Sequence, residues 1–333
     1  MLKINVIILI CAAAVFSQSA PPPHADHHQH LFSPAMAEFQ KITPIAAKDV
    51  ISLLDQARIE QGVLLSTAYS YGRPGREPAD EYEKVKEEND WVAAQAALYP
   101  KRLIALCSFN PLKDYALTEL ARCAKNPVTR RGIKLHFGNS DVQMENPEHI
   151  EKLKALFSAA NTNGMSIVVH MRASISKDRP YGADQARAFL EHLLPLATNI
   201  AIQIAHLGSA GPGYDDPKIE AFMDALIAGL NGTSADAVTR STSPNQNSKS
   251  KIQNRKNLWF DLTSVPHPSN SPAHSAAVAK RIRQIGVKRI LYGTDAALAG
   301  NLVPRDAWAE VSKIGLTADE IKTIARNKAP YLR

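Results

Sequence analysis

Cysteine is scarce in this chain, which has three in 333 residues. Cys11 lies in an apolar N-terminal segment, so only Cys107 and Cys123 remain for a folded protein. The two could pair in an oxidising compartment, but one pair in a chain of this size is not the disulfide framework of a small secreted domain. The fold must therefore depend on a large hydrophobic core.

Long apolar runs are also missing, apart from one at the N-terminus. The stretch "MLKINVIILICAAAVFSQSA" has one lysine and then an apolar run from Ile4 to Phe16 that only Asn5 interrupts. This pattern predicts a secretory signal peptide over residues 1–19, with export to the periplasm or outside the cell. Lipid attachment at Cys11 is disfavoured because bulky Ile10 precedes it. No second run is long enough to span a membrane, so we expect no span in the mature chain.

Two further absences narrow the range of possible functions. The formal net charge is +7, yet no basic stretch is interleaved with aromatic residues as in a nucleic-acid-binding module. The first strand-like segment is followed by no glycine-rich phosphate turn, which disfavours an open, doubly wound nucleotide-binding sheet. We therefore expect a small-molecule substrate and no nucleic-acid partner, and a homodimer is compatible with the sequence.

What the chain does contain is a regular alternation of short apolar runs and amphipathic stretches. Eight such runs separated by helical segments predict parallel strands buried on both faces, and eight is the number that closes a barrel. We predict a single-domain (β/α)8 TIM barrel over residues 24–333. The strand-like runs are the histidine-rich stretch from residue 24 and the segments 61–70, 102–111, 131–138, 165–173, 200–208, 257–264 and 289–297.

Local signals place several helices, and one segment interrupts the pattern. Residues 80–99 carry apolar side chains near one helical face, Asn146-Pro147 fits a helix start, and Thr317 with Glu320 fits a capping box. Residues 231–256 are rich in Ser, Thr, Asn and Lys and lack an apolar period. This composition predicts an exposed insertion before the seventh strand.

The opening stretch "HADHHQHLFSP" could be a tag-like tract, a metal-binding tail or an active-site strand. Histidines and acids elsewhere favour the last interpretation, because they lie near the carboxyl ends of other predicted strands. In a barrel these ends share one mouth, where active sites are built. Three imidazoles and a carboxylate can hold a divalent ion of the Zn, Mn, Ni or Co kind. The residues concerned are His28 and His30 on the first strand, His170 on the fifth, His206 on the sixth and Asp295 on the eighth.

The motifs resemble those of the amidohydrolase superfamily, in its amidohydrolase-related (amidohydrolase 2) branch, which includes aminocarboxymuconate-semialdehyde decarboxylase and related hydrolases. The matching stretches are "DHHQH", "VVHM", "AHLGS" and "LYGTDAA", and "RNKAPYL" is similar to the closing helix of the family. The resemblance implies one divalent ion, zinc first, held by His28, His30, His170 and Asp295. It further implies that His206 handles a proton or polarises the substrate and that Asp295 takes a proton from the attacking water.

Four other residues keep alternatives open. For Lys134 in "GIKLHFG" a contact to a substrate anion ranks first, a metal-bridging carbamate second and a structural ion pair third. Arg172 fits a substrate carboxylate or a salt bridge to a loop acid. His136 fits a hydrogen-bonded loop residue better than a site residue. Asp26, on the strand face of His28, fits a residue that orients a ligand.

The leading hypothesis is a metal-dependent hydrolase of a small carboxylate-bearing ester, lactone or amide that uses activated water. A non-oxidative decarboxylase with the same mononuclear site is the nearest alternative, because one ligand set can serve both reactions. An exported metal-binding or carrier protein is the alternative of another class, although such a protein would gather its ligands in one flexible segment.

Overall fold

The computed structural model describes residues 20–231 and 256–332, and its strands form one parallel sheet in sequence order. The predicted (β/α)8 barrel is confirmed. Each strand is shorter than the apolar run that predicted it, because the ends of the runs turn into loops. The strands are β1 Ala25–Gln29, β2 Gln61–Leu65, β3 Leu103–Ser108, β4 Gly132–His136, β5 Ser166–His170, β6 Ile202–Ile204, β7 Leu258–Asp261 and β8 Ile290–Leu291.

Two backbone hydrogen bonds close the barrel between its first and last strands. The His27 amide donates to the Tyr292 carbonyl at 2.9 Å, and the Asp295 amide donates to the His28 carbonyl at 2.7 Å. Closure therefore places the end of β1 directly beside the loop that follows β8.

Ten α-helices in the described part of the chain cover the barrel, and several of their starts follow the sequence signals. The helix expected over residues 80–99 spans Glu81–Ala97. The Asn146 side chain accepts from the Glu148 amide, and Thr317 with Glu320 forms the predicted capping box. The helices are α1 Pro34–Gln40, α2 Ala47–Gln56, α3 Glu81–Ala97, α4 Ala116–Lys125, α5 Pro147–Thr162, α6 Ala183–Ala188, α7 Pro217–Asn231, α8 Pro272–Ile285, α9 Pro304–Val311 and α10 Ala318–Arg326.

Side chains alternate between two cores along each strand. In β4, Ile133 and Leu135 pack outward against the helices, while Lys134 between them is buried in the barrel interior. The inner core contains Val63 and Val168, together with residues of the C-terminal segment 329–332 that pack beneath them. Because this segment fills the amino-terminal end of the barrel, polar chemistry is confined to the opposite end.

Cys107 of β3 and Cys123 of α4 form a buried disulfide with a Cα–Cα distance of 6.3 Å, which settles the pairing that the sequence left open. Within the described residues, no helix is both long and apolar enough to cross a membrane. The predicted signal peptide over residues 1–19 lies outside the described residues, as does the predicted insertion between Asn231 and Lys256.

Candidate metal centre

The predicted histidines and Asp295 meet at the carboxyl end of the barrel. One ligand atom each from His28, His206 and Asp295 lies within 4.8 Å of the other two. His30 joins this group, with its Nε2 3.5 Å from Asp295 Oδ1. All four side chains are buried. The structure thus brings together residues from β1, the turn after β6 and the loop after β8, as barrel closure requires.

Hydrogen bonds fix the tautomers of three imidazoles. Nδ1 of His30 lies 2.6 Å from the Leu65 carbonyl, and Nδ1 of His206 lies 3.0 Å from the Thr263 carbonyl. Nδ1 of His28 lies 3.2 Å from a carboxylate oxygen of Asp261. Carbonyl and carboxylate oxygens only accept, so each Nδ1 carries the proton and each Nε2 offers a lone pair. Metal-ligating histidines are commonly held in this way.

Burial keeps these rings neutral. Desolvation lowers the pKa of His30 to about 3 and that of His206 to about 4, and it holds the pKa of His28 well below its ordinary value. Lys134 adds to the lowering at all three rings by charge repulsion. A neutral imidazole is the form that binds a metal or accepts a proton.

Asp295 supplies an unusual carboxylate. Its Oδ1 is buried and has no hydrogen-bond partner among the described residues. Burial raises the pKa of Asp295 to about 8, although the charge of Lys134 opposes the rise. An unpaired buried acceptor is costly, and a cation would satisfy it. The donor set of three imidazole lone pairs and one free carboxylate oxygen therefore fits a divalent ion.

His170 stands next to this group, on β5. Its ring centroid lies 4.9 Å from that of His206, and it stacks on His136 at 4.0 Å with 17° between the planes. Burial holds the pKa of His170 well below its ordinary value. His136 also accepts the Asn139 amide at 3.2 Å, so it has the expected hydrogen bond, although it is the last residue of β4 and not a loop residue. His136 thus lies against a candidate ligand as well.

Lys134 lies at the base of the site. Its Nζ is 3.2 Å from Nε2 of His28, and its side chain is 1% exposed. Burial lowers the pKa of Lys134 to about 8, with Asp261 and Asp295 opposing the shift. The contact engages the same lone pair of His28 that a metal would need, so lysine and metal compete for this atom. Lys134 forms no salt bridge with any described carboxylate.

Arg172 has a partner already. Its Nε donates to Asp216 at 2.6 Å, and its guanidinium lies over the Tyr181 ring at 4.8 Å. The structure therefore contains the ion pair with a loop acid, one of the two alternatives for this residue. A contact to a substrate carboxylate stays a prediction.

The side chains of Asp26 and His27 form hydrogen bonds that hold β1 in the barrel, and neither side chain is a candidate metal ligand. Asp26 accepts from Thr294 Oγ1 at 2.6 Å and from the His28 amide at 3.1 Å. It therefore fixes the backbone of β1, including that of His28, against the loop after β8, which agrees with the expectation that it orients a ligand. The His27 ring donates to the Tyr292 carbonyl and accepts from the Ala329 amide, on the other face of β1.

Asp261, at the end of β7, is the site residue that the sequence reading missed. One oxygen accepts from His28 and from Gln203 Nε2 at 2.6 Å, and the other accepts the His206 amide at 2.8 Å. Burial opposes its ionised form, yet the charge and hydrogen bond shared with His28 and the charge interaction with His206 lower its pKa below the usual range. The sequence signal that could have identified Asp261 is an acid inside the apolar run "NLWFDLTS".

Backbone geometry also shapes the centre. His206 and Leu207 have φ values of 54° and 51°, a left-handed conformation that is uncommon outside glycine. The Asp261 carboxylate holds the His206 amide in this conformation. At Gly293 a Cβ would lie 2.4 Å from Thr263 Oγ1 and 2.9 Å from His28 Cβ. Only glycine lets β8 approach His28 this closely.

Comparisons with known proteins find no matching family model and no match among curated proteins. Solved structures do match. A 2,6-dihydroxybenzoate decarboxylase from Rhizobium is 16% identical with a TM-score of 0.63, covering 92% of this chain and 97% of its own. A dihydroxybenzoic acid decarboxylase from Polaromonas sp. JS666, with bound manganese and the inhibitor 2-nitroresorcinol, is 15% identical with a TM-score of 0.62, covering 92% and 95%.

A hydrolase matches as well. A probable 2-pyrone-4,6-dicarboxylic acid hydrolase from Acinetobacter baumannii, with citric acid bound, is 17% identical with a TM-score of 0.53, covering 90% of this chain and 95% of its own. These likenesses extend over nearly the whole length of each protein. The chain therefore shares the (β/α)8 barrel fold of these solved structures.

Proposed function

We propose that this chain is a metal-dependent enzyme that hydrolyses a small carboxylate-bearing ester, lactone or amide. One observation carries the proposal. Three imidazole Nε2 lone pairs and an unpartnered Asp295 oxygen converge in a buried space where the described residues supply one nearby cation, Lys134. Such a set of acceptors is unfavourable unless a positive ion binds among them.

His28, His30 and Asp295 would hold one divalent ion, with His170 as the further ligand that the sequence motifs predict, because its ring lies beside the converging group, 4.9 Å from that of His206. Zinc is the first expectation because three imidazoles and a carboxylate suit it. Manganese is the alternative that the bound ion of the Polaromonas protein supports. When bound, such an ion activates water at neutral pH and polarises a carbonyl group.

The other side chains have roles that their contacts allow. His206 is held by the Thr263 carbonyl through Nδ1, so its free Nε2 can accept or return a proton at the substrate. Asp295 Oδ1 can take the proton of the attacking water. Lys134 provides a buried positive charge for an anionic group of the substrate, and Arg172 provides a second charge that Asp216 partly neutralises.

Decarboxylation is the second candidate. The two decarboxylases of the same fold are both named for an aromatic acid, a dihydroxybenzoate, as their substrate. In this reaction the substrate carboxylate would lie near Lys134 and leave as carbon dioxide, and the vacated carbon would take a proton from His206 or Asp295. The same side chains serve both reactions, so product analysis must separate them.

A carrier role is less well supported, because the candidate ligands come from three separate parts of the barrel, β1, β5 and the loop after β8, and are buried. Export stays part of the proposal. The Cys107–Cys123 disulfide supports it, since disulfides persist mainly in oxidising compartments.

The test combines metal analysis with a product assay. Protein stripped of metal is reloaded with zinc or manganese and offered lactones, amides, 2-pyrone-4,6-dicarboxylate and dihydroxybenzoates, while acid release and carbon dioxide are measured in parallel. We expect one metal per chain and metal-dependent acid release without carbon dioxide. Carbon dioxide release would favour the decarboxylase. Tight metal binding without turnover of any compound would favour the carrier, and full activity without metal would refute the proposal.

A further inference from the structure

The amino-terminal end of the barrel, opposite the metal centre, is strongly basic. The described segments that join a helix to the strand after it contain two acidic residues, Glu60 and Glu191, and the Glu60 carboxylate is 2.9 Å from His24 Nδ1. Six cations there form no salt bridge with a described carboxylate. We call them the basic face: Arg58, Lys101, Arg130, Lys288, Arg326 and Lys328.

These cations line three depressions at this end of the barrel, two of which share Lys328. A depression of about 630 Å³ is lined by Arg58, Lys101 and Lys328. A second depression is lined by Lys328 again, with Lys288 and Arg326. Arg130 lines a third, together with the C-terminal segment that closes the barrel. The parallel topology explains the arrangement, because every strand starts at this end.

A large apolar side chain projects from the same end. Leu98, at the C-terminal cap of α3 and three residues before Lys101, is 66% exposed, more than any other large hydrophobic residue that the structure describes. A nucleic acid would offer phosphates and sugars to this face, and an exposed leucine gains nothing from contact with them. A lipid surface offers anionic headgroups to the cations and acyl chains to the leucine.

We propose that the basic face binds an anionic lipid bilayer, with Leu98 inserted between headgroups. Charge complementarity carries the attraction, and Leu98 favours lipid over nucleic acid as the partner. In this orientation the barrel stands on the membrane and the metal centre opens away from it. The proposal does not depend on which reaction the centre catalyses.

Co-sedimentation with vesicles tests it. The chain from Ala20 onward contains all eight strands and the described core, and it lacks the apolar run Ile4–Phe16 that would bind lipid by itself. We expect binding to phosphatidylcholine vesicles that contain phosphatidylglycerol, weaker binding at high salt, and little binding to phosphatidylcholine alone.

Matched variants locate the surface. The triple variant Lys101→Gln, Arg130→Gln, Arg326→Gln should lose about fivefold in vesicle affinity for each cation, so about a hundredfold in all. Its control has the same charge change at exposed lysines away from this face, as Lys41→Gln, Lys48→Gln, Lys280→Gln, and should bind like the parent.

The leucine has a control of its own. Leu98→Gln should weaken binding about tenfold, whereas Leu117→Gln, at a residue 46% exposed in the first turn of α4, should not. Equal losses in the basic-face and control triples would overturn the proposal. So would binding that ignores phosphatidylglycerol, or binding to duplex nucleic acid without binding to vesicles. The circular dichroism of each variant is compared with the parent to confirm folding.

Discussion

Asp261 Oδ2 lies 3.2 Å from His28 Nδ1, so a carboxylate at the end of β7 fixes the ring of a histidine on β1 that is 233 residues away in the sequence. The other oxygen of the same carboxylate accepts the His206 amide. One buried acid therefore positions two of the residues that surround the candidate metal.

We predict that Asp261→Asn lowers metal affinity by about 10- to 100-fold, because the His28 ring loses the charged acceptor that fixes its tautomer. Competition with a chromogenic chelator measures the affinity. Asp216→Asn is the control, since Asp216 contacts Arg172 and should leave the affinity unchanged. Equal affinities for Asp261→Asn and the parent would show that the acid does not support the metal.

We predict that Lys134→Met retains one metal per chain and binds it at least as tightly as the parent, because the ammonium group competes for His28 Nε2. Turnover should fall, because the buried charge that receives a substrate anion is gone. Elemental analysis and chelator competition measure both metal properties. Two metals in the parent and one in the variant would instead identify Lys134 as a bridging carbamate.

We predict different defects in two histidine variants. His170→Ala should lower metal affinity strongly, whereas His206→Ala should keep most of the metal and lose about 10²–10⁴-fold in kcat. Metal retained after gel filtration is compared with activity at saturating zinc. Because His206 lies so close to His28 and Asp295, the informative contrary result is metal loss in His206→Ala with rescue of its rate by zinc. That result would make His206 a ligand.

We predict that Glu88 makes the fold less stable as pH rises. Glu88 is 2% exposed, and burial raises its pKa from 4.5 to about 7, while hydrogen bonds from Ser33 oppose the rise. Between these pKa values the native state binds more protons than the unfolded state, so stability decreases with pH. The decrease should be about 3 kcal/mol, at about 1.4 kcal/mol per pKa unit.

Urea unfolding between pH 4.5 and pH 8 measures this effect. Glu88→Gln should remove that part of the pH dependence, and Glu87→Gln, at an exposed neighbour paired with Lys84, should keep it. Parallel stability curves for the parent and Glu88→Gln would contradict the assignment.

We predict that replacing Cys107 and Cys123 together by alanine lowers the free energy of unfolding by about 3 kcal/mol, the size expected for a bridge closing a loop of this length. Reductant should bring the parent to the same stability and leave the variant unchanged. A parent that is insensitive to reductant under unfolding conditions would show that the two cysteines are not bridged.

Much of the fold was predictable because burial on both faces makes each strand a continuous apolar run. "GIKLHFG" and "MSIVVHMRA" correspond to β4 and β5, and Asn146 and Thr317 start their helices as local capping rules require. These signals depend on neighbouring residues alone. The exact strand ends were not predictable, since the β8 pairing covers only Ile290–Leu291.

The proximity of His28, His30 and Asp295 was predictable from their residue types and their places at the ends of predicted strands, whereas their roles as ligands stay a prediction. Asp261 escaped because its role depends on a partner distant in sequence, and an aspartate in an apolar run gives no sign of that partner. The partners of Asp26 were only partly predictable. Its strand face suggested a contact with a ligand, and it does accept the His28 amide, but barrel closure also brings Thr294 within 2.6 Å.

The closure between β1 and the segment after β8 has a consequence for synthesis on the ribosome. His28 and His30 emerge among the first residues, whereas Asp295 and the Tyr292 carbonyl that pairs with His27 emerge near the end. A nascent chain therefore carries only part of the candidate metal centre for most of its translation. Contacts between such distant parts of a chain form slowly, because a long loop must close first. The proposed ligand set is complete only in the finished barrel, so we expect metal capture to report that the last strand has joined the first.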